Sequence, residues 1–150
     1  MTIPAIIVDV DGTLATFEPE QVRPWVLGDQ KHWQPFFLHM ENALAIEPVV
    51  KLVRLLKAQG QAILICSGRP DSYRDETLGW IDRNQIPYDQ AYLRPDGQDH
   101  VADETVKEQL LQKMWADNYA PWLVLDDRDA VVRRWRSMGL TCLQCASGDF

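Results

Sequence analysis

Three apolar runs of strand length mark this chain, and each ends in polar groups that the middle of a buried strand would not tolerate. Ile6-Ile7-Val8 leads into Asp9-Val10-Asp11-Gly12-Thr13, Ile63-Leu64-Ile65-Cys66 into Ser67-Gly68-Arg69, and Trp122-Leu123-Val124-Leu125 into Asp126-Asp127-Arg128. Runs this short and this apolar predict strands whose carboxyl ends turn into loops. In an open parallel sheet those ends align along one edge, where such sheets bind their ligands. The pattern predicts that Asp9, Asp11, Asp126, Asp127 and the Ser67 hydroxyl meet there, joined by Lys107 from a neighbouring helix. A divalent cation is the natural way to hold so many carboxylates together.

The rest of the chain supplies the alternation such a sheet needs. Strands are predicted over 5–10, 61–66, 90–93, 122–126 and 140–144. Between them, Pro48 to Leu56 is apolar at helical spacing, with Pro48 suited to a first turn and Gly60 to the stop. Ser72 to Asn84 forms a second helical pattern. Val106, Leu110, Leu111, Met114 and Trp115 make one face of a third, and Asp129 to Met138 a fourth, stopped by Gly139. The fold class is α/β, a Rossmann-like parallel sheet of about five strands flanked by helices in one domain over residues 1–150. Residues 14–47 form a small cap-like insertion after the first strand, about thirty residues long and longer than ordinary connections. Its Trp25, Trp33, Phe36 and Phe37 either bury one another in a helical elaboration or stack on a substrate base.

Composition removes several function classes. With 22 acidic against 15 basic side chains and a net charge of −7, a nonspecific nucleic-acid coat is excluded, though a basic rim around an acidic site is not. No apolar stretch approaches the roughly 18 residues of a membrane span, and the start at Met1-Thr2-Ile3-Pro4 runs straight into a strand, so a cytoplasmic protein without a membrane partner is expected. Cys142 and Cys145 form a lone C-x-x-C and Cys66 lies within a strand, which predicts packed thiols and no zinc site. His32, His39 and His100 are scattered and are not expected to act in catalysis.

Asp9 and Asp11 stand two apart at a strand end, so a turn at Gly12 can give them different environments and divide nucleophilic from acid–base work. Ser67 with the exposed N–H of Gly68 suits a small anion nest, to which Arg69 can add bidentate contacts. Asp103 and Lys107 are four apart, the spacing of an ordinary solvated helix pair.

Asp9-x-Asp11-Gly12-Thr13, Ser67, Lys107 and Asp126-Asp127, in this order, resemble the haloacid dehalogenase superfamily across the whole chain. Ser67-Gly68-Arg69, Asp103 to Lys107, Asp126-Asp127-Arg128 and Ala146 to Phe150 look more narrowly like the 3′-phosphatase domain of phage polynucleotide kinase. The resemblance implies Mg²⁺ and an aspartyl-phosphate intermediate. Asp9 is then nucleophile and metal ligand, Asp11 the acid and base and a second metal ligand, Ser67 and Lys107 the phosphoryl holders, and Asp126 and Asp127 the remaining metal ligands. It further implies Arg69 on substrate phosphate with Asp103 in support, and an arginine after the first motif, for which Arg23 is the nearest candidate at a departing spacing. The expected substrate is a 3′-phosphorylated DNA or RNA end, contacted outside the chemistry by Arg69, Arg94 and Trp25, with a separate kinase or ligase as partner and the host cytoplasm as setting if phage-encoded. A nucleotidase or other small-molecule phosphatase shares the same core, and a non-catalytic binding module is a third reading. No G-x-x-x-x-G-K-[ST] occurs, so ATP-dependent 5′ phosphorylation is not expected from this chain.

Overall fold

The computed structural model describes residues 1–150. Five parallel strands form one sheet in the order β3-β2-β1-β4-β5, where β1 is Ile3–Val8, β2 Ala62–Pro70, β3 Gln90–Arg94, β4 Tyr119–Asp126 and β5 Thr141–Gln144. The α/β class and the strand count agree with the sequence. Successive side chains of a strand point to opposite faces. Ile6 and Val8 accordingly enter one core with Val50, Val53, Trp80 and Ile81, while Ala5 and Ile7 enter the other with Leu110, Leu111, Val131 and Trp135. The first core is covered by α3 (Glu47–Ala58) and α4 (Arg74–Arg83), the second by α5 (Asp103–Ala116) and α6 (Asp129–Ser137). Coverage on both faces is why the strands read as unbroken apolar runs.

The strand bounds depart from expectation at three places, each with a local cause. β1 stops at Val8, so Asp9 to Thr13 belong to the turn, although the Asp9 N–H still donates to the Leu125 carbonyl at 3.0 Å. β4 begins at Tyr119 and passes through Pro121, which has no N–H for the ladder; the register with β1 slips between Ala5 and Ile6, leaving Trp122 as the extra residue. β2 continues beyond Cys66 to Pro70 through a bulge that leaves Gly68 and Arg69 without partners on β3. Bulges of this kind re-aim side chains beside functional sites.

Residues 14–47 leave and rejoin the fold side by side, with Thr16 N–H donating to the Leu44 carbonyl and Ile46 N–H to that of Leu14. They carry two short helices, α1 (Pro19–Val26) and α2 (Trp33–Met40). Phe36, Phe37 and Met40 are buried, Trp33 and Trp25 partly so, and the Trp33 indole donates to Asp99 at 3.1 Å. The helical elaboration that buries its own aromatics is what forms. No helix is long and apolar enough to cross a membrane.

Candidate active site

The ends of β1, β2 and β4 converge with the first turns of α5 on one cleft, lined among others by Asp9, Asp11, Gly68, Arg69, Lys107, Asp126 and Asp127. Gly12 makes the first turn feasible: its φ is +85°, and a Cβ there would collide with the Asp127 carboxylate.

Lys107 organises the floor. It lies on the buried face of α5 with Val106, Leu110 and Leu111, and its Nζ donates to Asp9 Oδ1 and Asp126 Oδ2, both at 2.8 Å. It makes no pair with Asp103, so the expected solvated helix pair does not form. Both Asp126 oxygens are held: Oδ1 accepts the Asp127 N–H at 2.8 Å, and Oδ2 accepts the Trp135 indole N–H at 3.1 Å as well as Lys107. The Thr13 hydroxyl lies 3.1 Å from Asp9 Oδ2 and 3.4 Å from Asp127 Oδ1.

Asp9, Asp126 and Asp127 place carboxylate oxygens within 4.8 Å of one another. Three negative charges against one ammonium leave an excess of two in a buried place. Burial first, then the neighbouring Asp126, pushes Asp9 well above the usual carboxylate range, and burial raises Asp127 to about 6. Lys107 is held in its charged form by Asp126 and Asp9, which overcome its desolvation. The donors are all hard oxygens, and a divalent cation of the Mg²⁺ or Ca²⁺ kind fits both their chemistry and the charge deficit.

Asp11 stands apart from that cluster. Arg69 grips both its oxygens, Nε to Oδ2 at 2.9 Å and Nη2 to Oδ1 at 2.6 Å. The bulge in β2 aims Arg69 there, and Phe36 and Phe37 of α2 lie 5.4 and 5.1 Å from its guanidinium carbon. The structure thus groups three carboxylates, not four, and the fourth is an ion pair with the arginine expected to meet phosphate.

Two other expectations need correction. Arg94 borders the cleft, but it is buried and commits its donors within the protein, to the carbonyls of Gly68, Gln98 and Val101 and to Asp103. Asp103 also receives Arg128 at 2.7 Å, and its carboxylate packs so closely under Gly68 that a Cβ there would lie 2.6 Å from Oδ1. Arg23 is exposed, paired with Glu20 of its own helix at 3.0 Å, and does not line the cleft. Lys31 lines it instead.

Residues 3–150 match the model of the polynucleotide kinase PNKP phosphatase domain. The chain belongs to that family. This PNKP-type phosphatase domain is a haloacid dehalogenase superfamily phosphatase, and so a phosphoric monoester hydrolase. Among solved structures, one chain of the Pnkp1/Rnl/Hen1 complex is 29% identical with a TM-score of 0.81, over 99% of this chain and 48% of that one. The Pnkp1/Rnl/Hen1 RNA repair complex gives the same identity and TM-score over 99% and 44%. The present chain therefore spans about half the length of those chains. The class C acid phosphatase from Bacillus anthracis, 15% identical with a TM-score of 0.66 over 99% of this chain and 67% of that one, shares the fold.

Within this phosphatase domain, sequence reasoning did not single out Thr13, Trp135, Arg128 or Lys31. Thr13 and Arg128 sat inside quoted motifs with no role of their own, and Trp135 acts only through a contact across the fold. Lys31 lies in the insertion, where no pattern sets it apart.

Proposed function

We propose that this domain removes 3′-phosphates from polynucleotide ends by transient phosphorylation of Asp9. Support for the polynucleotide assignment rests chiefly on one observation, the match of residues 3–150 to the polynucleotide kinase phosphatase domain. The cleft suits a nucleotide: Phe17, Trp33 and Phe150 line it together with the phosphoryl-holding groups.

An Asp9 oxygen attacks phosphorus as the bond to the 3′-oxygen breaks, and Asp11 gives that oxygen its proton. The monoester brings that proton to Asp11, since its second pKa near 6 leaves it partly protonated at neutral pH. In the second step Asp11, ionised and held by Arg69, takes a proton from water whose oxygen attacks phosphorus, releasing phosphate and Asp9. Lys107 meets the equatorial oxygens. So does Ser67, whose Oγ accepts the Arg69 N–H at 3.1 Å and keeps its own proton to donate. The N–H groups of Val10 and Asp11 find no acceptor among the backbone carbonyls and are free for the same task. Asp9 and Asp127, with Asp126 completing the site, would hold Mg²⁺, which would supply charge neutralisation on the phosphoryl oxygens.

The likeness to a chain of an RNA repair complex favours RNA ends and a setting in which a separate kinase or ligase works on the same strand. The test is a comparison of kcat/KM on a 3′-phosphorylated oligonucleotide, its 5′-phosphorylated isomer, a nucleoside 3′-monophosphate and an aryl phosphate. The 3′-phosphorylated oligonucleotide should lead. Equal or faster turnover of the small substrates would instead mark a small-molecule phosphatase.

A further inference from the structure

Five cations line the cleft, and four of them have a carboxylate partner within it. Arg69 is paired with Asp11, Arg94 and Arg128 with Asp103, and Lys107 with Asp9 and Asp126. Lys31 has no carboxylate partner. Its Nζ is held by two neutral acceptors, the carbonyls of Val26 at 2.9 Å and Gly28 at 2.6 Å, which leaves one of three N–H donors free. The loop bearing it is pinned on its far side, where the His32 N–H donates to the Trp25 carbonyl at 2.7 Å and the Trp33 indole to Asp99. Desolvation lowers the Lys31 pKa, outweighing the pull of the more distant Asp103 and Asp99 carboxylates, neither of which reaches its Nζ.

We propose that Lys31 forms a second phosphate subsite, binding the phosphodiester that precedes the terminal 3′-phosphate and thereby selecting a polymer end over a mononucleotide. The inference rests on the proposed function and deepens it. A phosphodiester carries one negative charge, which is what an unpaired, prepositioned ammonium lacks. The other cationic side chains of the cleft each already face a carboxylate, which leaves Lys31 as the one whose charge is not committed to a paired acid. Contact with a non-reacting part of the substrate is also the kind of binding that separates long from short substrates.

The experiment measures steady-state kinetics of the wild type, Lys31→Met and Lys31→Arg on a single-stranded 3′-phosphorylated oligonucleotide and on a nucleoside 3′-monophosphate, each over a range of salt. Lys31→Met should lose about tenfold in kcat/KM on the oligonucleotide, mostly through KM, and less than about threefold on the monophosphate. The slope of log KM against log salt on the oligonucleotide should flatten by about 0.7, one single-strand phosphate contact. Lys31→Arg should restore most of both effects. Equal losses on the two substrates with an unchanged salt slope would overturn the subsite and leave Lys31 as a clasp for its own loop. Failure of the underlying function would show differently, in a wild type that does not prefer the oligonucleotide at all.

Discussion

Removing Lys107 would leave Asp9 and Asp126 facing each other in a buried floor with nothing between them. Breaking a buried ion pair from one side costs about 3–5 kcal/mol, because the abandoned charge remains desolvated. Lys107→Met should therefore lose stability on that scale in urea unfolding with EDTA present, as well as turnover; an exposed helix pair would give about 0.3–0.5 kcal/mol. Asp9→Asn has the opposite signature. It keeps the shape, deletes the nucleophile and relieves one of three crowded negative charges. Activity should fall by more than about a thousandfold, while the metal-free melting temperature should not drop. Substantial turnover by Asp9→Asn would sink the covalent route.

At the scale of elements, α2 acts on the chemistry through two intermediaries. Phe36 and Phe37 confine Arg69, and Arg69 confines Asp11. Phe36→Leu keeps the core apolar but loosens that chain, so kcat should fall about 10- to 100-fold with KM changed far less; a loss confined to KM would mean α2 only shapes the entrance. The start of α5 carries a pH signature. Burial alone would raise the Asp103 pKa, but Arg128, Lys107 and Arg94 outweigh it and hold it below the ordinary 3.8. A carboxyl lowered in the folded state adds stability above its unfolded pKa and loses it as pH falls through the folded value. Unfolding free energy should therefore decline below about pH 4, and Asp103→Asn, weaker at pH 7, should show a shallower acid limb. These couplings were the least legible part of the sequence. Strand-end acids and the helix periods are local patterns, so the sheet and the edge where its carboxylates meet could be read. Lys107 was legible only through the family motif, because its spacing from Asp103 by itself reads as a solvated helix pair. Whether Arg69 and Arg94 point at substrate or at Asp11 and Asp103 depends on a bulge and on strand neighbours far apart in sequence, and no spacing records that.

For the molecule as a whole, the net charge of −7 accompanies a cleft in which five of the fifteen basic side chains meet the acidic cluster. Four of those cations pair with carboxylates, Arg94 and Arg128 sharing Asp103, and a local excess of negative charge lies at Asp9, Asp126 and Asp127. A polyanionic substrate can approach only if that excess is cancelled, which makes metal loading a property of the folded state as a whole. Because the three carboxylates assemble only on folding, a cation that binds them stabilises the protein by mass action, by about 2.7 kcal/mol at a hundredfold excess over Kd. For a chain of this length that is a rise of roughly 5–10 °C in melting temperature. Mg²⁺ added to EDTA-treated protein should produce it and restore phosphatase activity together. Asp127→Asn separates cause from correlation, since Asp127 is the one member of the trio with no ammonium beside it. Without metal the variant should melt at or above the wild-type temperature, because a buried, uncompensated carboxylate is gone. With Mg²⁺ it should gain little, and its activity should not recover. A variant that kept the full Mg²⁺ shift would show that the cation binds elsewhere and that the three carboxylates are not its site.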